Sequence, residues 1–87
     1  MIPAEARVLK DKARLLEPIV RIGKNGLTDP VVEHICKMLV KRHLVKVKFL
    51  RSFLEDNDRK EAASKLAKAT ESDLLDQVGF VVVLYKR

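Results

Sequence analysis

The sequence predicts one mixed α/β (α+β) domain, in which three helices pack on a four-stranded mixed sheet. Strand-like and helix-like segments alternate in the order helix, strand, helix, strand, helix, strand, strand. The segment Val81–Leu84 is continuously apolar, which is typical of a central strand. A chain of 87 residues suits a single domain, here residues 1–87.

The first half of the chain predicts two helices and two strands. The first helix runs from Pro3 to about Leu16 and ends before Pro18, because the residue preceding a proline is disfavoured in helical geometry. Its apolar face is predicted to hold Val8, Leu9, Ala13, Leu15 and Leu16. The next three elements are predicted at Pro18–Ile22 (strand), Asp29 to about Arg42 (helix) and Leu44–Leu50 (strand).

The second half predicts one helix and two strands. Arg51–Asn57 is interpreted as a connection, and the acidic run Glu55-Asp56-Asn57-Asp58 as the cap of a helix from about Asp58 to Ala69. A third strand is predicted at Asp73–Val78, a break at Gly79 and a fourth strand at Phe80–Lys86. Among the few aromatic residues, Phe49 and Phe80 are predicted to lie in the core.

A glycine-bracketed basic loop, Gly23-Lys24-Asn25-Gly26, follows the first strand and precedes the second helix. Glycines permit unusual backbone angles and close approach of a ligand, and the following helix begins with Thr28, Asp29 and Pro30, which suit a helix N-terminus. Backbone N–H groups and the Lys24 ammonium therefore favour binding of an anion such as phosphate. The motif is neither a Walker A loop nor the dinucleotide fingerprint, and the glycines have the alternative explanation of serving the turn alone.

The second strand predicts an open basic face on the sheet. Val45, Val47 and Phe49 point to one face, whereas Lys46 and Lys48 point to the other. Because lysines are rarely buried, this second face is expected to be partly open. Arg21 joins it if the first two strands are neighbours, and Arg14 and Lys10 of the first helix are weaker candidates for the same basic track.

The charge of the chain is uneven. The net charge is +6, with 12 basic and 5 acidic side chains in residues 1–51 against 6 and 7 in residues 52–87. Basic charge concentrated in one half indicates a polyanionic partner, with nucleic acid ahead of a membrane surface or an acidic protein, although many small soluble proteins are simply basic.

Several function classes are not expected. No apolar run approaches the length of roughly 20 residues that spans a bilayer, and the N-terminus lacks a signal-peptide layout. A single cysteine, Cys36, excludes an intrachain disulfide and a multi-cysteine zinc site, so the default compartment is the cytoplasm. The sequence shows no catalytic triad, paired carboxylates or spaced metal ligands, so we expect no enzyme activity, cofactor, metal or small-molecule substrate. Separately, the chain is expected to be a monomer when free.

Three segments together resemble a known family, the CRM domain (chloroplast RNA splicing and ribosome maturation), also called YhbY-like. They are Glu17–Thr28 with its glycine loop, His43–Lys48 with its Val-Lys-Val-Lys, and Gly79–Arg87 with its Val-Val-Leu-Tyr-Lys-Arg ending. The resemblance covers almost the whole chain and indicates a stand-alone member. One departure is Thr70-Glu71-Ser72, where the family often has Thr-Gly-Ala.

The resemblance implies an RNA-binding fold with a KH-like glycine loop, and a role in ribosome maturation on precursors of the large subunit. It places RNA contacts at Gly23, Lys24, Asn25 and Gly26, which the residue analysis extends to Arg21, Lys46, Lys48 and Arg14. Aromatics are scarce, so recognition of structured RNA by shape and backbone is expected rather than base stacking on aromatic rings. The alternatives are a basic adaptor that docks on an acidic protein and an RNA-splicing cofactor.

Overall fold

The computed structural model describes residues 2–87, which form four helices and four strands. The helices are α1 (Pro3–Arg14), α2 (Asp29–Arg42), α3 (Arg51–Leu54) and α4 (Arg59–Ala69). The strands are β1 (Pro18–Ile22), β2 (Leu44–Phe49), β3 (Asp73–Val78) and β4 (Val81–Tyr85). The bounds of β1, α2 and β3 are those predicted from the sequence.

The strands form one mixed sheet in the order β1-β2-β4-β3, which confirms the predicted fold class. β1 is parallel to β2, whereas β4 is antiparallel to both of its neighbours, β2 and β3. The two connections that contain α2 and α4 therefore both join parallel strands. The first two strands are neighbours, which is the condition under which Arg21 joins the basic face, and their register pairs Arg21 with Lys48.

The main core lies between the sheet and the helices α2, α3 and α4. Val45, Val47 and Phe49 of β2 point into it and are at most 1% exposed. Ile35 and Leu39 supply the buried stripe of α2, and Leu66 does so for α4, flanked by alanines that allow close approach to the sheet. Both crossover helices thus cover the same face of the sheet.

The opposite face carries a smaller core beneath α1, and we call it the α1 face. Ala13 packs with Leu44 and Val83 there, and Leu9 covers them partly. The broad apolar stripe predicted for this helix was wrong, since Val8 is 53% exposed and Leu15 is 89% exposed. The helix ends at Arg14, so Leu15 and Leu16 leave its periodic face. Because α1 is alone on this face, much of the sheet surface beside it remains open.

Two other expectations also differ from the structure. The predicted connection Arg51–Asn57 contains the one-turn helix α3, so the helix count of three was too low. Phe80 is 41% exposed instead of buried, because it lies in the turn between β3 and β4 rather than in the strand. The predicted cap is confirmed: a side-chain oxygen of Asp58 accepts a hydrogen bond of 3.0 Å from the backbone N–H of Glu61.

Candidate functional site

The glycine loop is a tight turn at the carboxyl end of β1. The N–H of Gly26 donates to the carbonyl oxygen of Gly23 at 2.9 Å, and Gly26 has a left-handed φ of +73° that favours glycine. Lys24 and Asn25 form the exposed tip between them. The loop therefore presents one ammonium, one amide and glycine backbone at a protruding position.

The short helix α3 supports this loop from below. A Cβ atom added to Gly26 would lie 3.7 Å from the ring of Phe53, which is 4% exposed and stacks at a tilt on Phe49 with ring centroids 5.0 Å apart. A Cβ atom added to Gly23 would lie 3.4 Å from Leu50 and 3.5 Å from Ser52. The sequence reasoning missed this support, because a single helical turn has no periodicity to detect.

The N-terminus of α2 follows the loop directly. Thr28 is the N-cap, in an extended conformation, and its side chain makes no capping hydrogen bond. Pro30 lies in the first turn, where its missing N–H has no consequence. The other N–H groups of the first turn therefore donate no hydrogen bond to the Thr28 side chain. They form the positive end of the helix dipole.

The predicted basic residues of the strands lie together on the α1 face. Arg21 of β1 and Lys48 of β2 are paired in the parallel register, and Lys46 lies two residues before Lys48 on the same face. Lys46 is half-buried, and its ammonium donates to the carbonyl oxygen of Leu16 at 3.1 Å. Arg21 is two residues before Gly23, about 7 Å along the strand, so it connects the loop with the basic strand residues.

Arg14 is the last residue of α1, the helix that packs on the α1 face. It shares a groove with Lys10 and Lys46, and its guanidinium is 3.7 Å from the carboxylate of Asp11. Both of these charged side chains are well exposed, so the ion pair contributes little. The eight predicted site residues thus form two groups, the glycine loop and the basic side chains of the α1 face, which meet at Arg21.

A second groove, on the opposite side of the loop, has mixed charge. Lys24 and Asn25 form one of its walls, and the start of α4 forms the other with Asp56, Asp58 and Glu61. The topology brings these acidic groups beside the loop, and no local sequence signal could have shown it. The loop therefore lies between the basic residues of the α1 face and a groove of mixed charge, which also contains Lys65.

Metal-binding clusters and membrane-spanning helices are not found in the described part of the chain. No group of three or more histidine, cysteine, aspartate or glutamate side chains in residues 2–87 could hold a metal ion. Over the same residues, no helix is long and apolar enough to cross a membrane. The arrangement presents cations, amide donors and backbone N–H groups, which are groups that bind phosphate and sugar oxygens.

Comparison with known proteins gives consistent matches. The family model of the CRS1/YhbY (CRM) domain matches residues 1–86. The chain is 39% identical over 80 residues to a probable RNA-binding protein of Methanocaldococcus jannaschii, covering 92% of this chain and 59% of that protein. It is 37% identical over 82 residues to the probable RNA-binding protein YqeI of Bacillus subtilis, covering 94% and 83%. The chain thus spans about three fifths of the length of the archaeal relative.

A solved structure is also similar over the whole chain. The solution structure of a Staphylococcus aureus protein, described as a candidate RNA-binding protein, superposes with a TM-score of 0.78 at 33% identity. The match covers 100% of this chain and 90% of that one. The architecture described above is therefore shared with an experimentally determined structure.

Proposed function

This chain belongs to the CRS1/YhbY (CRM) domain family, and we propose that it binds structured RNA through the glycine loop and the adjoining basic residues of the α1 face. The observation that carries the proposal is the continuity between Lys24, Arg21 and Lys48. These three cations follow one another from the loop along two paired strands. A polyanionic backbone can cross them without leaving the protein surface.

The glycine loop would receive one phosphate group. Its backbone lets the RNA approach closely, as the corresponding loops of KH domains do. Lys24 and the uncapped N-terminus of α2 would neutralise the charge, and Asn25 can donate to a phosphate or 2′-hydroxyl oxygen. Arg21, Lys48 and Lys46 would bind the following phosphates, with Arg14 at the far side of the groove.

We further propose that the RNA is ribosomal, in precursors of the large subunit, and that the protein acts in ribosome maturation in the cytoplasm. The proposal is binding without catalysis, by a domain that is monomeric when free. It draws on the family membership, on the relatives' names and on the basic surface. The carboxylates of Asp56, Asp58 and Glu61 in the mixed-charge groove would repel phosphates, which favours a path for the RNA over the α1 face.

Fluorescence anisotropy with labelled fragments of large-subunit ribosomal RNA tests the proposal. We expect the dissociation constant to rise with salt, by about 0.7–0.9 log units per decade of salt for each phosphate contact. Lys24→Ala should weaken binding and reduce that slope by about one contact, as should Arg21→Ala. Lys68→Ala is the matched control, because Lys68 is exposed on α4, which packs on the other face of the sheet.

Each alternative outcome has a definite meaning. A response that does not depend on salt would contradict electrostatic backbone binding. Weakening by Lys48→Ala and Lys46→Ala alone would move the phosphate site from the loop to the α1 face. Absence of RNA binding by the wild-type protein would favour an adaptor that docks on an acidic protein.

A further inference from the structure

A groove on the α1 face, between α1 and the strands β2, β3 and β4, combines three kinds of chemistry. Its volume is about 420 Å³, within the range of small-ligand sites. Lys10 and Arg14 of α1 and Lys46 of β2 are its cations. Its apolar part is made by Ala13, Val78, Val81 and Val83, and one carboxylate, that of Asp76, completes the lining.

The strand register explains why these groups meet. Lys46 pairs with Val83, which pairs with Asp76, so the three side chains form one row across the sheet. Lys48 pairs with Val81, which pairs with Val78, and this forms the next row. Helix α1 covers Val83 but leaves the second row open, and Val78 is 67% exposed. An open apolar surface thus lies beside a carboxylate, in a groove that also holds three cations.

Asp76 supplies the one carboxylate of the groove. It is half-buried, and the ion pairs found within residues 2–87 join Arg14 to Asp11 and Arg87 to Glu5, so none of them engages Asp76. Its Oδ1 accepts a hydrogen bond of 2.9 Å from the backbone N–H of Gln77. A carboxylate has about four acceptor positions, so this one keeps capacity for further donors. The negative charge of Asp76 would also repel phosphate groups, so the phosphates of a bound RNA would lie away from this carboxylate.

We infer that this groove binds one unpaired guanine of the RNA. The inference rests on the proposed function and adds base recognition to it. The base would lie on Val78 and Val81, its flanking phosphates would contact Lys10, Arg14 and Lys46, and its Watson–Crick edge would face Asp76. Guanine is the base whose edge offers two adjacent N–H donors, N1–H and the N2 amino group, which match the two oxygens of a carboxylate. Unpaired bases of RNA are commonly recognised on this edge.

The test compares one RNA hairpin that carries a single unpaired guanosine with the same hairpin carrying inosine. Inosine lacks only the N2 amino group, so the two RNAs have the same charge and nearly the same shape. We expect the wild-type protein to bind the guanosine hairpin roughly tenfold more tightly, the usual effect of a paired base contact. Asp76→Asn should remove this preference while the inosine hairpin is bound at least as tightly as by the wild type.

Two further variants separate the roles of the lining residues. Asp73→Asn, on the same strand but outside the groove, should keep the tenfold preference, since Asp73 pairs with Tyr85 and is exposed. Val78→Ala, at an exposed position that should not affect folding, should weaken binding of both hairpins by a similar factor. That result would assign the apolar row to the base and Asp76 to the choice of base.

The outcomes distinguish this inference from the proposed function. Salt-dependent binding with equal affinity for the two hairpins, or a preference that persists in Asp76→Asn, would overturn the guanine site and leave RNA binding intact. Absence of binding to both hairpins and to the ribosomal fragments would overturn both. Binding of an acidic protein that Asp76→Asn strengthens, with no RNA bound, would likewise replace both with the adaptor function.

Discussion

The ammonium of Lys46 donates a hydrogen bond to the backbone carbonyl oxygen of Leu16, across 3.1 Å. Leu16 follows the end of α1, whereas Lys46 belongs to β2, so this bond joins the end of the helix to the sheet. Lysine has three donors, and the other two remain for the groove. Lys46 therefore has a structural partner in addition to its proposed RNA contact.

Replacing Lys46 by methionine should lower the free energy of unfolding by about 0.5–1.5 kcal/mol, because the apolar stem is retained and only the hydrogen bond is lost. Urea denaturation followed by circular dichroism measures this change. Lys48→Met is the matched control, since Lys48 lies on the same face and its side chain makes no comparable bond to residues 2–87. The stability of this variant should change by less than about 0.5 kcal/mol. Equal stability of the two variants would show that the bond to Leu16 contributes nothing.

The two glycines of the loop should respond differently to alanine. Gly26 has a φ of +73°, so Gly26→Ala is expected to cost about 1 kcal/mol of stability. Gly23 does not have a left-handed φ, and the atom nearest to an added methyl group would be 3.4 Å away. Gly23→Ala should therefore change the free energy of unfolding by less than about 0.5 kcal/mol. Thermal unfolding of both variants tests this difference.

The Gly23→Ala variant also tests which side of the loop contacts RNA. The added methyl group would lie against Leu50 and Ser52, whereas the proposed contacts of Lys24 and Asn25 lie at the exposed tip, so affinity for RNA should stay close to that of the wild type. Anisotropy with the ribosomal RNA fragments measures this, with Lys24→Ala as the variant that should lose affinity. Weaker binding by a stable Gly23→Ala variant would show that RNA contacts the loop on the side of Leu50 and Ser52.

The sequence predicted the regular elements well where local chemistry defines their ends. Pro18 begins β1, Pro30 follows the start of α2, and Gly79 ends β3, and each boundary agrees with the structure. The alternation in β2 also placed Lys46 and Lys48 correctly on the face opposite Val45. These features depend on side-chain type and spacing alone, so they are visible in one sequence.

Features that depend on the assembled fold were not predictable. Helix α3 exists because Phe53 packs on Phe49 and below the loop, and a single turn gives no periodic signal. Asp76 joins the basic groove only through the order β2-β4-β3, which places a strand late in the chain beside a helix at its start. Asp56 and Glu61 reach the loop because they follow β2, whose carboxyl end lies beside that of its parallel neighbour β1. The site residues predicted from the sequence stay a prediction until binding is measured.

Phe53 should control the order of the glycine loop. Phe53→Ala removes a ring that is 4% exposed and should destabilise the protein by about 3–5 kcal/mol, whereas Phe53→Leu should cost less because it retains part of the volume. The informative readout in Phe53→Leu is hydrogen exchange of the Gly26 amide, which is bonded to the Gly23 carbonyl oxygen. We expect faster exchange there than the global loss of stability explains.

Leu54→Ala is the control for this experiment, because Leu54 belongs to the same helical turn and is only partly buried against the main core. It should lower stability without a selective effect on the Gly26 amide. If Phe53→Leu changed exchange uniformly across the chain, the support of the loop by α3 would not be specific.

Glu71 occupies a position that favours glycine. Helix α4 ends in a Schellman motif, in which the N–H of Ser72 donates to the carbonyl oxygen of Ala67 at 2.9 Å and that of Glu71 donates to the carbonyl oxygen of Lys68 at 3.2 Å. The motif requires a left-handed residue after the cap, and Glu71 has a φ of +52°. Thr70 is buried beside it and bonds to Leu66 and Ser72, so the turn is held in place despite the strain.

Glu71→Gly should therefore stabilise the protein, by about 0.5–1 kcal/mol, because glycine adopts this angle without the steric cost of a Cβ atom. This is the position where the CRM resemblance leads us to expect glycine, in Thr-Gly-Ala, and where this chain has Thr70-Glu71-Ser72. Glu55→Gly is the opposite control: Glu55 follows α3 with a φ of −62°, so glycine there only increases the freedom of the unfolded chain and should destabilise. Glu71→Gln removes the charge alone and should leave stability unchanged within about 0.5 kcal/mol. Stabilisation by Glu71→Gln as large as by Glu71→Gly would assign the gain to charge and not to the backbone.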